Sequence, residues 1–111
     1  MRLQDGDWAI NLIPLRQGIG VEEFARFSSE VDQPICLGHD VVQGFDAYVV
    51  TRRDPGAPQI DIVEVMQLRS WDEWVNVRDN SPSMAPVMSA FPRMVDPNAV
   101  KTIFGKRIVR Q

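Results

Sequence analysis

The stretch Gln59-Ile-Asp-Ile-Val-Glu-Val-Met-Gln-Leu-Arg-Ser-Trp-Asp-Glu-Trp74 decides the fold, because it predicts a central strand that runs into a helix. Its apolar residues fall on both faces of an extended chain, as in a strand that is covered on both sides. Ser70 has the position of a helix N-cap, and Glu73, three residues later, would complete a capping box. The helix is therefore predicted to begin at about Trp71.

The composition describes a single acidic domain spanning residues 1–111, with 44% hydrophobic residues and a net charge of −3. This charge balance argues against nucleic acid or an anionic membrane as a partner. No apolar run reaches the ~18 residues that span a bilayer. The only cysteine is Cys36, and the N-terminus lacks an apolar signal core, so we predict a cytoplasmic protein. No nucleotide-binding or metal-binding motif is present, so we expect neither a bound nucleotide nor a structural zinc.

The remaining elements are arranged around the central strand. Residues 8–15, 45–51 and 100–109 predict three further strands, and the second and third strands of the chain are expected to form a hairpin. Residues 21–31 predict a helix that ends at Asp32-Gln33-Pro34, and Pro82 begins a short helix that Pro92 ends. The order β-α-β-β-α-β predicts a ferredoxin-like α+β fold, an antiparallel sheet with two helices on one face.

The apolar pattern of the sheet predicts self-association. Helices would cover only one face of the sheet, whereas the first and third strands are apolar on both. A homodimer in which two sheets pack face to face and enclose a cavity would cover the second face. We therefore expect the domain to dimerise into an α+β barrel.

Glu64 is the first candidate for catalysis, because a carboxylate in the middle of an apolar strand is costly unless it is paired or lines a wet cavity. It could act as a general acid or base whose pKa is raised by desolvation. The alternative is a structural carboxylate that pairs with an arginine or caps a loop.

His39 is the second catalytic candidate, because imidazole changes charge near neutral pH. Its Gly-His-Asp context is equally typical of a solvated loop. Cys36, His39 and Asp40 are too close in sequence to form a known metal site, and we predict none.

The candidate substrate-binding residues lie on strands one and two and on the helices. Asn11, Asp46 and Tyr48 could share the cavity face, although Tyr48 could also be a core aromatic. Trp71 could form a flat wall against an aromatic ring, and Met84 and Met88 an adaptable lining, but all three also suit ordinary core packing. Asp32 is most simply a turn or capping residue.

Several segments together resemble a known family. They are the Glu-Glu-Phe helix running into Val31-Asp-Gln-Pro34, the strand Asp61-Ile-Val-Glu64-Val, the stretch Ser81-Pro-Ser-Met, and the ending Phe91, Val95-Asp-Pro97 and Ile103-Phe-Gly105-Lys-Arg-Ile108. In order and spacing they resemble the RedY-like (HapK-type) proteins of prodiginine and related pyrrole or indole pathways, within the dimeric α+β barrel superfamily. The similarity runs from Asn11 onward.

The resemblance implies a small homodimer without a tightly bound cofactor, which acts in bacterial specialised metabolism. Its substrate would be a small aromatic heterocycle of the indole or pyrrole type, undergoing cyclisation or condensation steered by proton transfer. Two alternatives stay open: a cofactor-free monooxygenase of the same superfamily, and a non-catalytic carrier of an unstable intermediate. Fold alone cannot choose among them.

Overall fold

The computed structural model describes residues 1–111 and has the predicted ferredoxin-like arrangement. Its strands are β1 (Asp7–Ile13), β2 (Val42–Val49), β3 (Ile62–Leu68) and β4 (Lys101–Gly105). Its helices are α1 (Val21–Phe27), α2 (Gln33–Leu37), α3 (Trp71–Asn80) and α4 (Ala85–Met94), with a π-helical turn at Ser28–Asp32 and 3-10 turns at Pro82–Met84 and Pro97–Ala99. None of these helices has the length and apolar character needed to cross a membrane.

The sheet is fully antiparallel, with the strand order β2-β3-β1-β4. β3 therefore lies between β1 and β2, as its apolar sequence predicts, and β2 and β3 form the predicted hairpin. Asn11 stands opposite Glu64 on β3 and opposite Thr102 on β4. The sheet thus carries three polar side chains in one row across its centre.

The core lies between the sheet and the helices. Alternate residues of β1 and β3 are buried on that side, among them Ala9, Ile13, Ile62 and Leu68. Helical residues cover them, namely Phe24, Phe27, Trp74, Met84, Val87 and Met94. Because side chains alternate along a strand, the residues between these buried positions point to the opposite face of the sheet.

The first helix does not end at Pro34, so that prediction was wrong. Helical backbone runs from Val21 to Leu37 because the π-helical turn accommodates the proline. The N–H of Gln33 donates to the carbonyl of Ser28, five residues earlier, and Pro34 lies in the first turn of α2, where its missing N–H does no harm. As a result Asp32 lies inside a helical segment and is buried.

Pro92 does not end α4 either, although we predicted that it would. The helix continues to Met94, and the N–H of Val95 donates to the carbonyl of Phe91 at 2.9 Å, which closes the last turn beyond the proline. Met94 and Val95 are both buried, so packing against the sheet outweighs the local preference of proline.

The helix predicted from Trp71 begins where expected, but its capping box is only half formed. The Ser70 hydroxyl accepts a hydrogen bond from the Glu73 N–H at 3.3 Å. The Glu73 carboxylate binds the exposed Arg69 at 2.7 Å instead of returning to the N-cap. Ser70 therefore caps the helix without the reciprocal bond.

Replacing Ser70 by alanine is expected to lower the free energy of unfolding by about 1 kcal/mol, because one backbone N–H at the start of α3 loses its acceptor. Urea unfolding followed by tryptophan fluorescence measures the change. Ser89→Ala, at an exposed position within α4, is the control and should cost nothing. Equal stability of the Ser70→Ala and wild-type proteins would show that this cap contributes nothing.

Candidate active site

A cavity of about 440 Å³ lies between the sheet and the helices. This cavity lies on the helical side of the sheet, and is therefore different from the cavity that we expect between the two sheets of a dimer. Its floor is formed by the row of polar side chains on β1, β3 and β4, and its walls by α3, α4 and the turn at Pro82–Met84. The volume falls in the range of small-molecule sites, about 300–1,000 Å³.

Glu64 lies on the floor of this cavity and is 4% exposed. Its Oε1 accepts a hydrogen bond from Asn11 Nδ2 at 3.1 Å, whereas its buried Oε2 has no donor. Asn11 is held in place by the Thr102 hydroxyl, which donates to Asn11 Oδ1 at 2.8 Å. The amide therefore presents its N–H to the glutamate.

Asp32 faces Glu64 from the helical side of the cavity. It is 5% exposed, and its Oδ1 accepts a hydrogen bond from the Cys36 thiol at 3.3 Å. The Asp32 and Glu64 carboxyl groups lie close enough for each to perturb the pKa of the other. Two carboxylates cannot bond to each other without a proton, so a proton on Glu64 Oε2 that is donated to Asp32 satisfies both groups.

Burial and the mutual repulsion of the two carboxyl groups determine which of them holds a proton. Burial, followed by the negative charge of Asp32, raises the pKa of Glu64 from 4.5 to about 8. Burial also raises the pKa of Asp32 from 3.8 to about 6, opposed by hydrogen bonds from Cys36 and Glu64. At neutral pH the pair therefore carries one proton and one negative charge.

The Cys36 thiol is a donor in this network and not a nucleophile. Burial raises the pKa of Cys36 far above its ordinary value, and the charge of Asp32 raises it further. Reactive cysteines are thiolates in electropositive surroundings, which is the opposite environment. Cys36 thus serves to hold Asp32 through its S–H group.

The walls of the cavity are aromatic and sulfur-containing. The rings are those of Phe45, Trp71, Trp74 and Phe91, and the thioethers those of Met66, Met84 and Met88. Trp71, Met84 and Met88 are thus placed against the cavity, while Trp74 and Met84 are also buried in the core. Flat rings and adaptable thioethers suit a planar aromatic ligand.

Asp46 and Tyr48 do not lie in this cavity. Asp46 stands opposite Val65 and Tyr48 opposite Val63, on the face of the sheet turned away from the helices. The expectation that they share the face of Asn11 is wrong, because Phe45 and Ala47 take the cavity side of β2. Tyr48 is 56% exposed on that outer face.

His39 also lies outside the cavity, in the connection between α2 and β2. Its Nε2 is 2.7 Å from the Ser83 hydroxyl, so it ties this connection to the turn at Pro82–Met84. The structure does not bring His39 and Glu64 together. The titratable side chain that lines the cavity with Glu64 is Asp32, which we expected from the sequence to be a turn or capping residue.

Spacing along the first helix is the signal that could have revealed Asp32. Phe24, Ser28, Asp32 and Cys36 recur at intervals of four and are all buried. Such spacing marks one stripe of a helix, but only if the helix continues through Pro34. Assuming a helix end at the proline removed Asp32 from the stripe.

Comparisons with known proteins identify similar sequences and folds. The model of one protein family, described as REDY-like protein HapK, matches residues 7–108. The crystal structure of HapK from Hahella chejuensis is 21% identical and superposes with a TM-score of 0.74, covering 95% of each chain. No curated protein sequence matches the chain.

Two further solved structures share the fold. A dimeric ferredoxin-like protein of unknown function from Thermobifida fusca is 10% identical, with a TM-score of 0.69 and 96% of each chain covered. A DABB family protein with a ferredoxin-like fold from Mesorhizobium loti is 13% identical, with a TM-score of 0.61, covering 97% of this chain and 100% of that one. At these identities the likeness concerns the fold alone.

Proposed function

Because this chain belongs to the family of the REDY-like protein HapK, we propose that it is a cofactor-independent enzyme of bacterial specialised metabolism. Its substrate would be an indole- or pyrrole-type intermediate that undergoes cyclisation or condensation. The observation that carries this proposal is the pair of buried carboxyl groups, Asp32 and Glu64, that line one aromatic-walled cavity.

The proposed mechanism assigns separate roles to the two carboxyl groups. Glu64, protonated at neutral pH, donates its proton to an electron-rich ring atom or an imine nitrogen of the substrate. Asp32, ionised, stabilises the positive charge that develops and can accept a proton from the product-forming intermediate. Asn11 holds Glu64 in position through the 3.1 Å hydrogen bond. The aromatic walls orient the ring and exclude water from a reactive species.

Incubation with a panel of indole and pyrrole intermediates, including imine dimers, tests the proposal. The wild-type protein should form a product without any added cofactor, followed by chromatography, and Asp32→Asn and Glu64→Gln should not. Oxygen consumption that matches product formation would support the monooxygenase alternative instead. Tight binding without turnover would identify a carrier.

We also propose that two copies of the chain pair through the outer face of the sheet. The protein from Thermobifida fusca that shares this fold is dimeric. On the outer face of this chain, Ile10 stands opposite Val65 and Ile103, and Leu12 stands opposite Val63. Ile103 is 54% exposed. These apolar residues form a central patch, with Asp46 opposite Val65 and Lys101 opposite Leu12 at its edges. An apolar centre with a polar rim is typical of a surface that a partner covers.

Replacing Ile10 by lysine is expected to convert the dimer into a monomer, because Ile10 lies between Val65 and Ile103 and an unpaired charge there would lose its water on pairing. Sedimentation velocity at micromolar concentration measures the change. Ala85→Lys, at an exposed position of α4, is the matched control and should remain dimeric. A wild-type monomer under these conditions would contradict the pairing, while leaving the intrachain cavity intact.

A further inference from the structure

The buried end of the cavity contains acidic side chains and no basic side chain to balance them. Glu64 lies at the floor and Asp32 on the helical side, and Arg78 is the only basic residue among the residues that line the cavity. The Arg78 side chain is 37% exposed, and its Nε donates to Asp79 at 3.0 Å. Because Arg78 is already paired at the surface, the protein supplies no cation to the inner carboxyl groups.

The walls add a second preference for positive charge. Faces of aromatic rings attract cations, most strongly those of tryptophan. The Trp71 ring already holds a cation, since the Arg78 guanidinium lies 5.9 Å from the centre of that ring. The rings of Phe45, Trp74 and Phe91 line the cavity without a cation of their own.

Resting on the proposed function, we infer that the cavity selects a nitrogen-containing aromatic base and binds it as a delocalised cation against Asp32 and Glu64. The carboxyl groups supply the opposite charge, and the rings supply faces on which a flat cation can lie. A neutral aromatic molecule of the same shape would gain only the apolar contacts.

The Asp32–Glu64 pair determines where a proton goes when a ligand binds. When a neutral base enters, the O–H bond of Glu64 breaks, its electron pair stays on the carboxylate, and an N–H bond forms on the ligand. The ligand gains the positive charge that balances the new charge on Glu64. When the ligand is already a permanent cation, the same proton leaves for the solvent instead.

Between pH 7 and 9, no other group that faces the two carboxyl groups adds an unpaired charge. Cys36 stays a thiol, and Asn11 and Thr102 are uncharged. From the α3 side come Arg78 and Asp79, which pair with each other, and α4 places no charged side chain on the cavity. A pH dependence of cation binding between pH 7 and 9 therefore reports on Asp32 and Glu64.

Two probes of nearly identical shape test this inference: N-methylquinolinium, a permanent cation, and 1-methylnaphthalene, its neutral counterpart. Isothermal titration calorimetry should give about tenfold or greater preference for the cation at pH 9. Cation affinity should rise up to about tenfold between pH 7 and 9, as Glu64 loses its proton, while affinity for the neutral probe stays constant. At pH 7 the cation should release protons, seen as a binding enthalpy that depends on the buffer.

The variant Glu64→Gln keeps the size of the side chain and should remove both the proton release and the pH dependence. Glu22→Gln, at an exposed position of α1, is the matched control and should bind both probes as the wild type does. Equal affinity of the wild type for both probes would overturn the inference and leave the proposed aromatic site standing. Failure of both probes to bind would contradict the proposed function as well.

Discussion

Replacing Glu64 by glutamine is expected to lower the rate of product formation about 100- to 10,000-fold, the usual contribution of a positioned general acid. Glutamine has nearly the same shape, and its oxygen can still accept the hydrogen bond from Asn11. Its amide N–H can donate to Asp32 but cannot be transferred to a substrate. Binding of the substrate should therefore persist while turnover is lost.

Steady-state kinetics with the best substrate of the panel measure this effect, which should appear mainly in kcat. Glu73→Gln is the control, because Glu73 is an exposed carboxylate on α3 that pairs with Arg69 outside the cavity. If Glu64→Gln is folded and turns over substrate at the wild-type rate, proton transfer by Glu64 is ruled out.

The free energy of unfolding of the wild type is expected to fall as the pH rises from about 5 to 9. Both Asp32 and Glu64 have a pKa in the folded chain above the ordinary value, from 3.8 to about 6 and from 4.5 to about 8. The folded state therefore binds more protons than the unfolded state in this range, and stability decreases with increasing pH. The loss should amount to several kcal/mol, because each pKa unit corresponds to about 1.4 kcal/mol.

Urea unfolding at pH 5, 7 and 9 measures this loss through tryptophan fluorescence. In Glu64→Gln the dependence on pH should be much weaker, because the second carboxyl group of the pair is gone. The variant should consequently be more stable than the wild type at pH 9 and comparable or less stable at pH 5. A wild-type stability that stays constant or increases from pH 5 to 9 would contradict the shared proton.

Much of the fold could be predicted from the sequence, because the apolar run of the central strand and the N-cap that follows it can be recognised from neighbouring residues alone. The apolar run of β3 indicated a strand in the middle of the sheet, and Ser70 indicated the start of α3. Glu64 was found for the same reason, since a charged residue stands out in an apolar strand.

The four-residue spacing along the first helix could have placed Asp32 on a buried stripe, but not next to Glu64, because that proximity joins residues far apart in the sequence. Nothing near Asp32 in the sequence shows that it faces Glu64, and Pro34 suggests a helix end. Burial of Phe24 and Cys36 against the sheet keeps the helix intact across this point, and a π-helical turn absorbs the proline. Tertiary packing here overrides the local preference of the chain.

The faces of β2 were the other source of error. Alternation along β2 places Phe45 and Ala47 on one face and Asp46 and Tyr48 on the other, but it does not say which set faces the helices. The polar set was placed with Asn11 because its chemistry suits substrate binding. The register with β3 assigns it to the outer face, where no cavity residue lies.

The location of the cavity has a genetic consequence. Asp32 and Glu64 line the same cavity within a single chain, so both halves of the carboxyl pair are encoded on the same polypeptide. Two inactive alleles, one carrying Asp32→Asn and the other Glu64→Gln, will consequently fail to complement each other in one cell, whether or not the subunits pair. A cell with one such allele and one intact allele will retain the activity of every intact chain, so neither mutation will be dominant.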